Sequence, residues 1–355
     1  MEASSTMLDP TQKIAIYAEA TMGLLNAKMA EGILRYGRNP VVAVIDSKAA
    51  GKTVGDLCRM TSDVPVVAAL EDALSMGAEI LVLGTAPSGG RVPEEWLPVL
   101  QAAVDAGLSI VNGLHDPLNG VFGSQLKDGQ WIWDIRIPVG DMPKIATARA
   151  ASLNNKRVLL VGTDMAVGKM TAGLEIYSNL KSRGADAVFL ASGQVGISIM
   201  GTGIPLDAFR VDHAAGAVER MVMEAADHDI LLIEGQGSLL HPGSTATLPL
   251  MRGSCTNAMI LCHRAGMTML DTEGSVRIPP LRDVIALNEL TASANGALTA
   301  AKVVGIALNT RDLDAAAAKR AVEDIQAETG LPTADPVRDG GAVLAEAILS
   351  HRPGG

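Results

Sequence analysis

Aromatic residues are scarce: three Trp, three Tyr and three Phe make up 3% of a chain of 355 residues. So thin a supply argues against an aromatic-rich β-sandwich. It favours small-residue α/β packing with glycine turns, and the chain holds 37 Gly. Cysteine is nearly absent too. Cys58, Cys255 and Cys262 lack CxxC spacing, and an odd count excludes a simple disulfide framework, so a reducing cytoplasm is the expected location. No Lys/Arg cluster breaks a formal net charge of -10, so nucleic acid is not expected as a partner. No apolar run approaches the ~18 residues of a membrane helix, and the polar first dozen residues lack a signal-peptide pattern, so no membrane partner is expected either. Neither HExxH, nor another metal-ligand spacing, nor a GxSxG elbow is found, so no metal is assigned.

What is there is an alternation of short apolar runs with helical patterns. At this length two domains are expected: a Rossmann-like parallel sheet over residues 1–145 and a P-loop NTPase-like parallel sheet over 146–355. In the first, residues 13–17 (KIAIY), 41–45 (VVAVI), 79–83 (EILVL) and 109–112 predict strands. Residues 22–36 and 94–106 carry the 3.6-residue apolar spacing of helices between them. Residues 123–143 predict a hairpin-like excursion about Asp128-Gly129. In the second, strands are predicted at 157–161, 187–190, 230–233, 258–262 and 303–308, with helices at 171–183 and 315–329. Strands alternating with helices imply right-handed βαβ units.

Residues 157–171 read RVLLVGTDMAVGKMT. An apolar strand runs into Gly162, and Gly168-Lys169 opens a helix, the order of a phosphate-binding loop. Gly162, Thr163, Asp164, Val167, Gly168, Lys169, Met170 and Thr171 are the predicted cofactor-binding residues. The glycines let backbone N–H groups converge on an anion, the helix N-terminus adds partial positive charge, and Lys169 supplies an ammonium. Asp164 is unusual beside phosphate, and a metal, a substrate amine or a neighbouring subunit are open readings for it. Met170 stands where such loops carry the hydroxyl that holds Mg²⁺. A thioether is a poor ligand for that ion, so the loop suits a phosphorylated cofactor better than triphosphate hydrolysis.

Other candidates sit where predicted strands end. Residues 230–242 (ILLIEGQGSLLHP) deliver Glu234 at a strand's carboxyl end, the edge where open α/β sheets bind ligands. Gln236, Ser238 and His241 fall on the loop that follows. Residues 191–213 (ASGQVGISIMGTGIPLDAFRVDH) are too glycine-rich for plain helix and predict a ligand-lining loop with Gly193, Gln194, Asp207, Asp212 and His213. Residues 84–91 (GTAPSGGR) lead from a strand toward a helix and would aim backbone N–H groups at an anion, with Gly89, Gly90 and Arg91 as candidates. His115 in NGLHD follows the next strand.

These motifs together, GTDMAVGK, SGQVGI…IPLDAFRVDHAAGAVE and IEGQGSLLHPG after a half containing AKMAEGILRYG and NGLHD, resemble the DgcN-type proteins. These P-loop proteins were long described as a domain of unknown function, and the resemblance covers nearly the whole chain. It implies an N-acetyltransferase that moves an acetyl group from acetyl-CoA to the amine of a D-amino acid, D-glutamate foremost, in D-amino-acid catabolism. Coenzyme A carries phosphates that a P-loop holds without Mg²⁺, in keeping with Met170. The acceptor is then a small molecule, the base one of Glu234, Asp207, Asp212 or His241, and the assembly a homo-oligomer. The P-loop half is also similar to dethiobiotin synthetase, with GTD…VGK and EG.G in matching places. That similarity implies the rival reading of a Mg-ATP-dependent ligase; a non-catalytic nucleotide-binding regulator is the third.

Overall fold

The computed structural model describes residues 8–271 and 274–353. Two sets of six parallel strands divide between two compact units, residues 1–139 with 194–208, and residues 140–193 with 209–355.

In the first unit the strands are β1 (Ile14–Tyr17), β2 (Val41–Ile45), β3 (Val66–Val67), β4 (Ile80–Leu83), β5 (Ser109–Asn112) and β6 (Ile132–Asp134). Their order is β3-β2-β1-β4-β5-β6, the Rossmann order, with the reversal at β1/β4. β1, β4 and β5 are buried at every position, as strands covered on both faces by crossover helices must be. Leu81, Leu83, Leu100 and Ile110 fill the core, and Tyr17 meets Trp96 edge-on at 5.0 Å between ring centroids. The helix Lys28–Tyr36 lies so close to β1 that a Cβ on Gly84 would come within 2.3 Å of Ile16 Cγ2 and 2.9 Å of Ala30 Cβ.

Two expectations need correcting here. Asp128 and Gly129 do form a turn, but no hairpin follows, because residues 132–134 add as β6, parallel to β5 through Ile110, Val111 and Asn112. The helix Asn119–Phe122 and the 3-10 turn Gly123–Gln125 lie within the crossover that a parallel pairing requires. The predicted helix at 22–36 begins only at residue 25. Before it, the Asp46 carboxylate at the end of β2 accepts from Thr21 N and Met22 N at 3.1 and 3.0 Å and fixes a turn.

In the second unit the strands are β7 (Lys156–Gly162), β8 (Ala187–Leu190), β9 (Ile230–Ile233), β10 (Ala258–Arg264), β11 (Lys302–Asn309) and β12 (Thr333–Ala334), ordered β12-β11-β10-β7-β9-β8. β7, in the interior, pairs with β10 on one side and β9 on the other. Val158 to Val161, Leu231 to Ile233 and Met259 to Cys262 are fully or almost fully buried. The segment predicted as a loop over 191–213 contains two helices, Gln194–Met200 in the first unit and the start of Val211–Glu224 in the second. Burial overrides glycine's low propensity here: Gly196 and Gly216 are both buried in those helices, and a Cβ on Gly216 would lie 1.6 Å from Lys144 O. Among the described residues no helix is long and apolar enough to cross a membrane.

Candidate functional site

The carboxyl edge of the second sheet gathers most of the predicted cofactor residues. β7 ends at Gly162, and six residues later Gly168, at φ 103°, turns the chain into the helix Lys169–Ser182. That left-handed conformation is open to glycine at little cost. Gly162 is fixed for another reason. A Cβ there would stand 2.9 Å from Val167 Cγ2 and 3.1 Å from Lys169 Nζ.

Lys169 is only 5% exposed. Its ammonium donates to Asp164 O and Met165 O at 2.9 and 3.0 Å, so the side chain folds back along its own loop. Burial lowers its pKa from 10.5 to about 8, against the pull of nearby acidic groups. Thr163 Oγ1 pairs with His263 Nδ1 at 2.9 Å, and burial lowers the His263 pKa to about 4, so that ring is neutral near pH 7. Met170 and Thr171 sit half-buried on the first turn. Asp164 braces the loop. Its two oxygens accept from Met165 N at 2.6 Å and Asp271 N at 2.9 Å, tying the loop to a segment 107 residues away.

β9 delivers Glu234 to the same edge, 3% exposed. Its carboxylate accepts from Ser192 N at 2.8 Å and Gly193 N at 3.0 Å and is hydrogen-bonded by the Gln236 side chain. Burial outweighs those bonds and the Lys169 charge, and pushes its pKa up to about 7. The backbone around it is closely packed. A Cβ on Gly235 would lie 1.6 Å from Leu160 O, and one on Gly193 would lie 2.3 Å from Gln236 Nε2. Gly193, Glu234, Asp164 and Lys169, all buried, therefore form one cluster with the half-buried Gln236 at the ends of β7, β8 and β9.

Ser238 and His241 belong to the next turn. Ser238 Oγ accepts from Leu240 N at 3.2 Å, and His241 Nδ1 accepts from Gly243 N at 3.0 Å, so that nitrogen's lone pair is engaged. Asp212 is exposed on the first turn of the helix Val211–Glu224, where a negative charge suits the helix N-terminus. His213 pairs through Nδ1 with Pro143 O at 2.7 Å.

The remaining candidates fall in the first unit. Gly89 and Gly90, at φ 82° and 65°, form a 3-10 turn with Ser88. Gly90 O accepts from His115 N at 2.8 Å. Arg91 is 78% exposed and forks onto Asp116, with Nη2 at 2.8 Å and Nε at 3.1 Å. So Gly90, Arg91 and His115 are brought together at the ends of β4 and β5. Gln194 stands beside Gly113, its Cγ 3.5 Å from where a Cβ would be. Asp207, in the same unit, pairs with Arg136.

Motif reading missed Ser192, His263, Asp271 and Arg136. Ser192 adjoins the predicted Gly193 and was within reach. The other three owe their places to tertiary pairing and carry no local pattern.

The fold and site define an α/β protein in which a Rossmann-like domain is followed along the sequence by a P-loop domain. Sequence profiles of a family described as a domain of unknown function, DUF1611, match at residues 47–138 (its Rossmann-like domain) and 144–345 (its P-loop domain), and the chain belongs to that family. The crystal structure of a DUF1611 family protein from Anabaena variabilis is similar at a TM-score of 0.92 and 47% identity, covering 96% of this chain and 100% of that one. A D-glutamate N-acetyltransferase of Tritonibacter scottomollicae is 35% identical over 333 residues, 92% of this chain and 95% of its own length. Another of that name, from a Pseudoalteromonas species, is 35% identical over 273 residues, 76% of this chain and 81% of its own length.

Proposed function

We propose that this protein is an N-acetyltransferase that moves the acetyl group of acetyl-CoA onto the amine of D-glutamate. The names of its two relatives support the reaction class and the acceptor. One structural observation carries the chemistry: Glu234, a buried carboxylate with its pKa near 7, sits beside a P-loop lysine.

The residues present fit coenzyme A. Backbone N–H groups of residues 162–169 and the Lys169 ammonium would hold phosphate groups by charge-assisted bonds. The acceptor arrives as an ammonium, which cannot attack a carbonyl. Glu234 takes the ammonium proton, and its raised pKa makes it basic enough to do so while remaining substantially ionised near neutrality. The free amine attacks the thioester carbonyl and forms a tetrahedral oxyanion. When the intermediate collapses, the C–S bond breaks, the proton on Glu234 passes to the departing thiolate, and the nitrogen sheds its second proton to solvent to leave the neutral amide. Of the four candidate bases Glu234 suits the role best. Asp207 pairs with a guanidinium, Asp212 is exposed on a helix end, and one His241 nitrogen already accepts a bond.

The test is to incubate the pure protein with acetyl-CoA and a panel of D- and L-amino acids and to follow free thiol. Thiol release with D-glutamate is the expected result. A lysine and a buried acid at neighbouring strand ends also suit a Mg-ATP-dependent ligase. Acceptor-dependent ADP release with no thiol would establish that reading instead.

A further inference from the structure

Arg136 stands just beyond the carboxyl end of β6 and is only 16% exposed in its side chain. Its Nε donates to Gly113 O at 2.8 Å, which fixes the plane of the guanidinium at the end of β5. One Nη1 hydrogen bond goes to Asp207. The Nη2 amino group has no protein partner among the described residues, so the planar fork that matches a carboxylate is half open.

The partner is as informative. Asp207 is 54% exposed, and Arg136 is its one hydrogen-bonding partner among the described residues. It rides on a short 3-10 turn, Leu206–Ala208. Gly201 and Gly203, at φ 73° and 146°, precede that turn, in conformations that side-chain-bearing residues rarely adopt. A shielded cation has thus been given a solvent-exposed carboxylate on a glycine-jointed turn. A guanidinium so placed is stable only with an anion, and one carboxylate can replace another there without leaving it unpaired.

We infer that Arg136 is a receptor for a carboxylate anion at the ends of β5 and β6, and that Asp207 is an internal stand-in which that anion displaces. The inference does not rest on the proposed reaction. A ligand with a carboxylate is selected over one without, because an uncharged replacement would leave the guanidinium unpaired.

The experiment titrates the full-length protein with glutarate, a dicarboxylate without an amine, so binding is read independently of acetyl transfer. Asp207→Asn removes the competing charge and is expected to tighten glutarate binding about threefold or more. Arg136→Gln is expected to weaken it about tenfold or more, the size of one charge-assisted bond. Circular dichroism checks that each variant folds. Should Arg136→Gln not fold, Arg136→Lys, which keeps the charge but loses the fork, is expected to show a smaller weakening. Equal glutarate affinity in wild type and the Arg136 variant, or no tightening in Asp207→Asn, overturns the inference. So does a hundredfold fall in kcat of Asp207→Asn at unchanged acceptor affinity, which would make Asp207 the base. Absence of thiol release from the wild type with D-glutamate refutes the proposed reaction, while the glutarate titration still decides the role of Arg136.

Discussion

Glu234→Gln should make the protein more stable and nearly inactive, and both effects should follow the same proton. In the folded chain burial holds the carboxyl pKa at about 7 against 4.5 when free. At ~1.4 kcal/mol per pKa unit, that displacement amounts to about 3 kcal/mol. The sign follows from where the proton sits. Below pH 4.5 both folded and unfolded chains hold it, and wild type and variant should be equally stable on this account. Between 4.5 and 7 the unfolded chain releases its proton while the folded chain keeps it, so wild-type stability falls as pH rises. Above 7 the full difference is present, because wild type then buries a charge. Gln keeps an oxygen to accept from Ser192 N and Gly193 N and carries no charge, so the variant lacks this slope. Urea unfolding at pH 5 and pH 8 measures it, followed by circular dichroism. Tryptophan fluorescence would report on the wrong unit, since Trp96, Trp131 and Trp133 all lie in the first. On the catalytic side, wild-type kcat should rise with pH through about 7, and the variant should lose 10²- to 10⁴-fold at pH 8. A variant with near wild-type kcat, or one no more stable than wild type at pH 8, would refute the assignment.

Lys169→Ala should weaken acetyl-CoA binding by about tenfold or more without unfolding the chain, since it removes a charge-assisted phosphate contact; calorimetric titration checks this. Binding of acetyl-CoA between about pH 7 and 9 should take up protons, because phosphate restores the Lys169 pKa from about 8 toward 10.5. Titrations in buffers of different ionisation enthalpy read that uptake, and a value of zero would contradict the placement of phosphate. Acetyl transfer should persist in excess EDTA, as Met170 offers no hydroxyl for Mg²⁺; loss of activity restored by Mg²⁺ would favour the ligase. Gly235→Ala should destabilise the second unit severely, as its Cβ would meet Leu160 O at 1.6 Å. A wild-type melting temperature would show that β7 and β9 can separate.

Local signals carried the P-loop and the strands. β7 and β9 are apolar runs with glycine at their carboxyl ends, so their identity and the placing of Lys169 and Glu234 at one edge could be read from residues 157–171 and 230–237 alone. The failures all involve distance along the chain. Asp128-Gly129 is a strong turn signal, but whether the next strand folds back or crosses over depends on the free edge of β5, which lies outside that window. Asp164 is held by Asp271 N, 107 residues on, a bond that no local pattern announces. Arg136 and Asp207 are 71 residues apart, and nothing near either one announces the other.

On the proposed reading a chain with a net charge of -10 binds an anionic cofactor, and burial at this edge supplies the reason. Low dielectric lifts the Glu234 pKa and depresses that of Lys169, so both groups titrate close to neutral pH, where either can change charge at small cost. Glu234 in its protonated state presents no negative charge to a phosphate, and Lys169 regains its full charge when one binds. On the proposed reading, the same burial that lets this edge accept an anion makes Glu234 basic enough to take a proton from an ammonium. Anion tolerance and base strength are thus two consequences of one desolvated edge. Placing Glu234 in water would remove the second, returning its pKa to the ordinary carboxylate range, in which it could not compete for the acceptor's proton.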